Sequence, residues 1–160
     1  MPIRSGLPHG SPARKIWLAA ALALSTTVWL GSPLPAPAQT VVAIERNAPD
    51  RGAILDAERD VLEIQLGIKV KFVVVRLARY GDWVYAALRP RTAAGDRIDY
   101  RRTLYAKDYL PDMDSDHIDV LLKRRDAGWI IVEQAFLPTD VVWEAWQDKY
   151  RLPRDLFLSQ

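Results

Sequence analysis

The densest run of chemically capable side chains is Asp112-Met-Asp114-Ser-Asp116-His117. Acids at alternate positions are what a calcium loop offers at its first, third and fifth places, because a hard cation needs several oxygens. Such a loop needs Gly at its sixth place for the sharp turn and Glu at its twelfth. Here those places hold His117 and Lys123. The run therefore reads as a solvated acidic loop, and no metal is expected. His117 is the only histidine beyond residue 38 and the chain has no Cys, so a zinc site lacks partners. What remains for His117 is an ordinary place beside a strand start, or a pH-sensitive contact with Asp114, Asp116 or Asp119.

Nucleophilic catalysis is nearly excluded by count. The serines beyond residue 38 are Ser115 and Ser159, and no Gly-x-Ser-x-Gly elbow surrounds Ser115. No Gly-x-Gly-x-x-Gly or Gly-Lys-Ser/Thr phosphate loop occurs, so no cofactor is expected. The enzyme chemistry left open is a pair of carboxylates, one buried so that it keeps its proton and serves as an acid. That would make a small carboxylate-dependent hydrolase or lyase with a pocket on the concave face of a sheet. Many acids are available, and the sequence ranks no pair.

Two groups of residues suit binding instead. From Arg89 to Lys107 stand six basic residues, including Arg89, Arg91, Arg101 and Arg102, against Asp96 and Asp99. From Asp108 to Asp119 stand five acids and no Lys or Arg. One reading is a basic hairpin that holds an anionic envelope component through its guanidinium groups. The other is that the two segments are neighbours and neutralise each other, and charge runs favour this plainer reading. Near the end, Val142, Trp143, Trp146 and Tyr150 form one stripe. Trp143 and Trp146 could meet a protein or a glycan. A stripe at this spacing is more often the face by which a terminal helix docks on its own core.

The elements that must position these groups begin beyond a distinctive leader. Arg4, Arg14 and Lys15 precede an uncharged run, Ile16 to Gly31, which ends in Ser-Pro-Leu-Pro-Ala36-Pro-Ala38. That order is a basic region, an apolar region and a small-x-small cleavage site. The apolar run is 16 residues long, short of the ~20 that span a bilayer. Residues 1–38 are thus expected to be a cleaved secretory signal peptide, and residues 39–160 a single domain in the periplasm or outside the cell. The membrane would matter only through an uncleaved leader. The formal charge of +2 includes those three basic residues; without them 19 Lys and Arg face 20 Asp and Glu, a net charge of −1. A nucleic-acid partner, which a basic domain would suggest, is not expected.

Beyond the leader, Gln39 to Arg46 reads as an extended lead-in. A helix follows, capped by Asn47 or Asp50 and closed by Gly67. Ile54, Leu55, Val61, Leu62 and Leu66 form its apolar stripe, with Asp56, Glu58, Arg59, Asp60 and Glu63 on the remainder. Lys69 to Tyr80 alternates and is rich in β-branched residues, which predicts a strand. Gly81-Asp82 turns the chain and Trp83 to Leu88 returns. Ile98 to Lys107 predicts a further, weaker strand. Ile118 to Arg125 and Trp129 to Phe136 form a second hairpin around Asp126-Ala-Gly128. Each hairpin has a basic strand end, a Gly-containing turn and a Trp opening the next strand, one plan used twice. Thr139 or Asp140 then caps a last helix, Val141 to Tyr150.

These elements predict an α+β domain: a helix across a curved antiparallel sheet of four or five strands, with a short C-terminal helix. The order of helix and hairpins resembles the cystatin-like or NTF2-like architecture. More narrowly, residues 51–157 resemble small exported bacterial proteins of uncharacterised function. The segments carrying this are Arg51-Gly-Ala-Ile-Leu-Asp-Ala, Phe72-Val-Val-Val, Gly81-Asp-Trp and Pro138-Thr-Asp-Val-Val-Trp-Glu-Ala-Trp. The resemblance implies no catalytic residues. The sequence thus predicts an exported, cofactor-free binding or protein-interaction module of the cell envelope. The carboxylate enzyme is the second reading and a purely structural envelope protein the third. Intact-mass analysis of exported protein is expected to give an N-terminus at Gln39. A full-length mass in the membrane fraction would overturn this and make the leader an anchor.

Overall fold

The computed structural model describes residues 39–107, 109, 116–126 and 128–158. The chain divides into two units, Met1–Ala36 and Pro37–Gln160; the described residues all belong to the second. The signal-peptide reading and most of the acidic run, Asp108 and residues 110–115, lie outside the described residues.

The second unit is α+β, a five-stranded antiparallel sheet with two α-helices. The strands are β1 (Val41–Ala43), β2 (Val70–Tyr80), β3 (Trp83–Thr92), β4 (Ile118–Arg125) and β5 (Gly128–Phe136). They lie side by side in chain order, every neighbour antiparallel. Helix α1 (Arg51–Leu66) connects β1 to β2, and α2 (Trp143–Tyr150) follows β5. Both hairpins turn through two residues, with the first at positive φ, +55° at Gly81 and +49° at Asp126. That conformation matches the twist of the flanking strands, and Gly and Asp both tolerate it.

Two expectations about the strands are corrected. Gln39 to Arg46 is more than a lead-in: Val41, Val42 and Ala43 pair with Tyr80, Arg79 and Ala78 and make the fifth strand. Ile98 to Lys107 is not a strand. Arg97 makes a single bridge to Arg91, and the chain then winds into a 3₁₀ turn at Tyr100–Arg102. The cause is local hydrogen bonding by short polar side chains, which competes with a ladder. The Asp99 carboxylate accepts from the Arg101 N–H at 3.3 Å, and the Thr103 hydroxyl donates to the Tyr100 carbonyl at 2.8 Å. Ile98 and Tyr100 are still buried in the core.

The helix ends also differ from the sequence reading. Gly67 closes α1 at φ +69° as expected. Asp50 stands at its N-cap position, but its carboxylate makes no cap and instead pairs with Arg79 on β2. At α2 neither Thr139 nor Asp140 caps through its side chain. The helix begins at Trp143 after Val142, whose N–H donates to the Asp140 carbonyl at 3.0 Å.

Alternation along the central strands sorts the core into two clusters. Val84, Ala86 and Leu88 of β3 and Ile118, Val120 and Leu122 of β4 face α1, with Ile54 and Leu62. Tyr85 and Leu121 face the other way, towards Trp146, Leu152, Leu156 and Phe157. Register shifts at Val74/Arg76 and at Leu121/Leu122 let β2 and β5 keep this alternation across an extra residue.

One residue of α1 departs from its expected place. Glu58 lies one turn from both Ile54 and Leu62 and is fully buried with them. Its Oε1 accepts from the Gln134 Nε2 of β5 at 2.6 Å; its Oε2 has no partner. Loss of water raises its pKa to about 7, against the smaller opposing pull of Gln134. A carboxyl whose pKa is raised on folding stabilises the fold while protonated, fully so below its unfolded value. That stability is lost as pH rises from about 4.5 through about 7. The denaturant midpoint is expected to fall over this window, by up to about 1.4 kcal/mol of stability per pH unit. Glu58→Gln, measured from pH 4.5 to 8, should flatten the fall. A parallel decline in the variant would show that Glu58 is not its source.

Candidate functional site

The face of the sheet opposite α1 is covered only in part. The 3₁₀ turn Arg154–Leu156 lies over β1 and β2, and helix α2 over β3 to β5. Trp146 is 7% exposed, buried beside Leu121, Leu152 and Leu156. Trp143 stacks on Phe157, with ring centroids 5.4 Å apart and planes 11° apart. Tyr150 meets Trp83 at 4.9 Å. Its hydroxyl and the Lys149 ammonium both donate to Glu133 of β5, each at 2.6 Å. Arg76 on β2 ties down the chain end, its Nε donating to the Leu156 carbonyl at 2.9 Å. The aromatic stripe therefore docks on the sheet.

Beyond the edge of this cover no described residue lies over the sheet, and a cavity of about 400 Å³ opens between β2–β4 and the Pro138–Trp143 segment. Three strands build its base. Tyr85, Ala87 and Arg89 are alternate residues of β3, and Asp119 is the matching residue of β4. His117 immediately precedes β4, and Val75 is the extra residue at the β2 irregularity. Trp143, Val141 and Thr139 form the rim on the α2 side. Val75 and Val141 are each 56% exposed, so the cavity is open, and Asp140 between Thr139 and Val141 makes its rim partly polar.

The polar groups of the base form a short chain. The Tyr85 hydroxyl donates to Asp119 Oδ1 at 2.8 Å. Asp119 Oδ2 lies 3.9 Å from the Nε2 of His117. Asp119 is buried, and loss of water holds its pKa above the usual carboxylate range, against the Tyr85 hydrogen bond and the nearby His117. Burial also raises the pKa of the Tyr85 hydroxyl, and the Asp119 charge adds to this. Tyr85 thus stays a donor. A buried carboxyl that holds its proton more strongly than usual, joined to a donor and beside an imidazole, can bind a polar group of a ligand, or can pass a proton.

The arginines singled out in the sequence separate into two groups. Arg91 Nη1 donates to Asp116 Oδ2 at 2.8 Å, Arg97 Nε to the same oxygen at 3.2 Å, and Arg89 Nε stands 3.5 Å from Oδ1. One buried carboxylate therefore gathers three guanidinium groups from β3 and the loop after it. Arg101 and Arg102 lie apart from this cluster, on the surface, with Asp99, at 2.7 and 3.7 Å. Of the six residues named for binding, Arg89 and Trp143 line the cavity, Trp146 is buried between α2 and the sheet, Arg91 is paired with the buried Asp116, and Arg101 and Arg102 are paired with Asp99 on the surface.

Tyr85 and Asp119 escaped the sequence reading as a pair. Asp119 was in view as a neighbour of His117. Tyr85 carries no motif, and only the register of β3 against β4 brings it close. The usable signal was alternation: Tyr85, Ala87 and Arg89 fall on the face that Val84, Ala86 and Leu88 do not occupy. Among the described residues no group of three His, Asp or Glu is placed to hold a metal ion, and no helix is long and apolar enough to cross a membrane.

No family model matches the chain, and neither a curated protein nor a solved structure matches it significantly. Its chemistry is read from its own residues. Asp116→Ala would leave three guanidinium groups facing one another, with Arg91 only 16% exposed. Removing one partner of a buried ion pair costs about 3–5 kcal/mol, and the urea midpoint is expected to fall accordingly. Arg101→Ala, on the surface, should leave it unchanged. Equal midpoints for the two variants would show that the Asp116 cluster does not hold the loop to the sheet.

Proposed function

We propose that this protein is a non-catalytic binding module of the cell envelope that acts after export, and that its ligand sits in the cavity walled by Tyr85, Asp119, His117 and Trp143. The observation that carries this reading is the open cavity itself. It has apolar walls from Val75, Ala87, Val141 and Trp143, a few convergent polar groups at its base, and an acid with a perturbed pKa among them, which is the usual make-up of a small-molecule site. Export rests on the leader, and the anionic or protein partner of the envelope on the half-buried Arg89, which lines the cavity and stands 3.5 Å from Asp116. The fold belongs to the same proposal. One helix followed by an unbroken antiparallel meander agrees better with a cystatin-like arrangement than with an NTF2-like one, which carries more helices before its sheet.

A specific observation favours a second reading. Asp119 keeps its proton more readily than an ordinary carboxyl, and Asp140 lines the same cavity. Two carboxyls lining one cavity, one of them desolvated, is the pairing a carboxylate hydrolase or lyase uses. An NMR screen of small carboxylates, amines and polyols separates these readings. Binding is expected to shift Tyr85, His117 and Trp143 together and to be lost in Ala87→Phe, which fills the cavity from β3. Fragments that bind only elsewhere would overturn the site. Turnover of an ester or glycoside that disappears in Asp119→Asn would replace the module with the enzyme.

A further inference from the structure

A second cavity, of about 460 Å³, opens on the α1 side between β1, the start of α1 and the turn ends of the two hairpins. Its wall is apolar, with Val42, Ile44, Ala48, Pro49, Ala53 and the ring of Trp129. Three charged groups reach it: Asp50, Arg79 and Arg124. Asp50 and Arg79 are an ion pair and cancel. Arg124 forms no ion pair among the described residues; its guanidinium stands 6.0 Å from the Trp129 centroid. Arg79 stands 5.4 Å from the same centroid, and its Nε is buried without a hydrogen-bond partner among the described residues. The cavity thus combines an apolar wall, one uncommitted positive charge and an unused N–H donor beside it.

We propose that this cavity binds a small organic monoanion, a single carboxylate on an aliphatic body. The carboxylate would meet Arg124, which offers the planar fork that carboxylates accept. The body would lie on Ala48, Pro49, Ala53 and Trp129. Each alternative ligand class meets an obstacle. A cation would face Arg124. A neutral apolar molecule would cover the Arg124 guanidinium without offering it an acceptor, at a desolvation cost. A dianion would overshoot the single net positive charge of the three groups and meet the Asp50 carboxylate. A monoanion brings them to neutrality.

The test is an NMR titration of the purified protein with octanoate, and with octylamine, octan-1-ol and acetate as controls. The Trp129 indole N–H signal is identified by its loss in Trp129→Phe. Octanoate is expected to move it saturably, octan-1-ol to bind at least about tenfold more weakly, and octylamine and acetate to leave it in place. Arg124 is exposed, so Arg124→Gln should keep the thermal midpoint while weakening octanoate at least about tenfold, the worth of one charge-assisted hydrogen bond. Octylamine or octan-1-ol binding as tightly as octanoate would overturn the proposal, as would octanoate unaffected by Arg124→Gln. Octanoate shifts confined to Tyr85, His117 and Trp143 would also overturn it, by placing the anion in the other cavity.

Discussion

The constraint on which the structure depends is that its central strands are apolar on both faces. β3 and β4 send Val84, Ala86, Leu88, Ile118, Val120 and Leu122 to one side and Tyr85 and Leu121 to the other. A sheet of this kind cannot leave either face in water, so each needs its own cover. Helix α1 covers the first. The C-terminal segment, α2 with Leu152, Leu156 and Phe157, covers the second. Only eight residues of α2 are helical, too few to span the whole face, and the uncovered remainder around Val73, Val75 and Asp119 is where the cavity lies. The candidate site is thus a consequence of incomplete cover rather than of a dedicated loop.

Buried acids are placed with three different kinds of partner. Asp116 is surrounded by Arg89, Arg91 and Arg97 and joins the loop after β3 to the start of β4. Asp119 has only a neutral donor, Tyr85, and a nearby imidazole. Glu58 has only an amide, Gln134. Desolvation is uncompensated by a cation in the last two, so their carboxyls hold protons more strongly than free acids do. The first arrangement serves the fold. The second stands in an open cavity, where a weakly held charge can be used by a ligand. The third is sealed under a helix, where it can influence only the docking of α1 on β5.

Much of this architecture was legible in the residues. Alternation at Val70, Phe72 and Val74, the Gly81-Asp82 and Asp126-Ala-Gly128 turns and the stripe of α1 specify two hairpins and a helix by local geometry alone. The Trp143–Tyr150 stripe reads as a docking face because a terminal helix has no other means of staying in place. Charge balance between the Arg89–Lys107 and Asp108–Asp119 segments was visible as an alternative. The meeting of Arg89, Arg91 and Arg97 on Asp116 gives it a specific form.

Other features depend on partners distant in sequence, and no local pattern carries them. Val41–Ala43 is too short to declare itself a strand and becomes one by hydrogen bonding to Ala78–Tyr80. Ile98–Lys107 has strand-like alternation and starts to pair, Arg97 bridging Arg91, but Asp99 and Thr103 then bind local backbone and wind the chain into a turn. Glu58 looks like a surface acid until Gln134 of β5 is laid beside it. Tyr85 joins Asp119 across 34 positions only through the register of β3 on β4. The sequence by itself determined periodicity and turns, because these follow from nearest-neighbour chemistry. The tertiary structure decided which charges are paired, which acids lose their water and where the sheet stays bare, because burial is a property of the assembled fold.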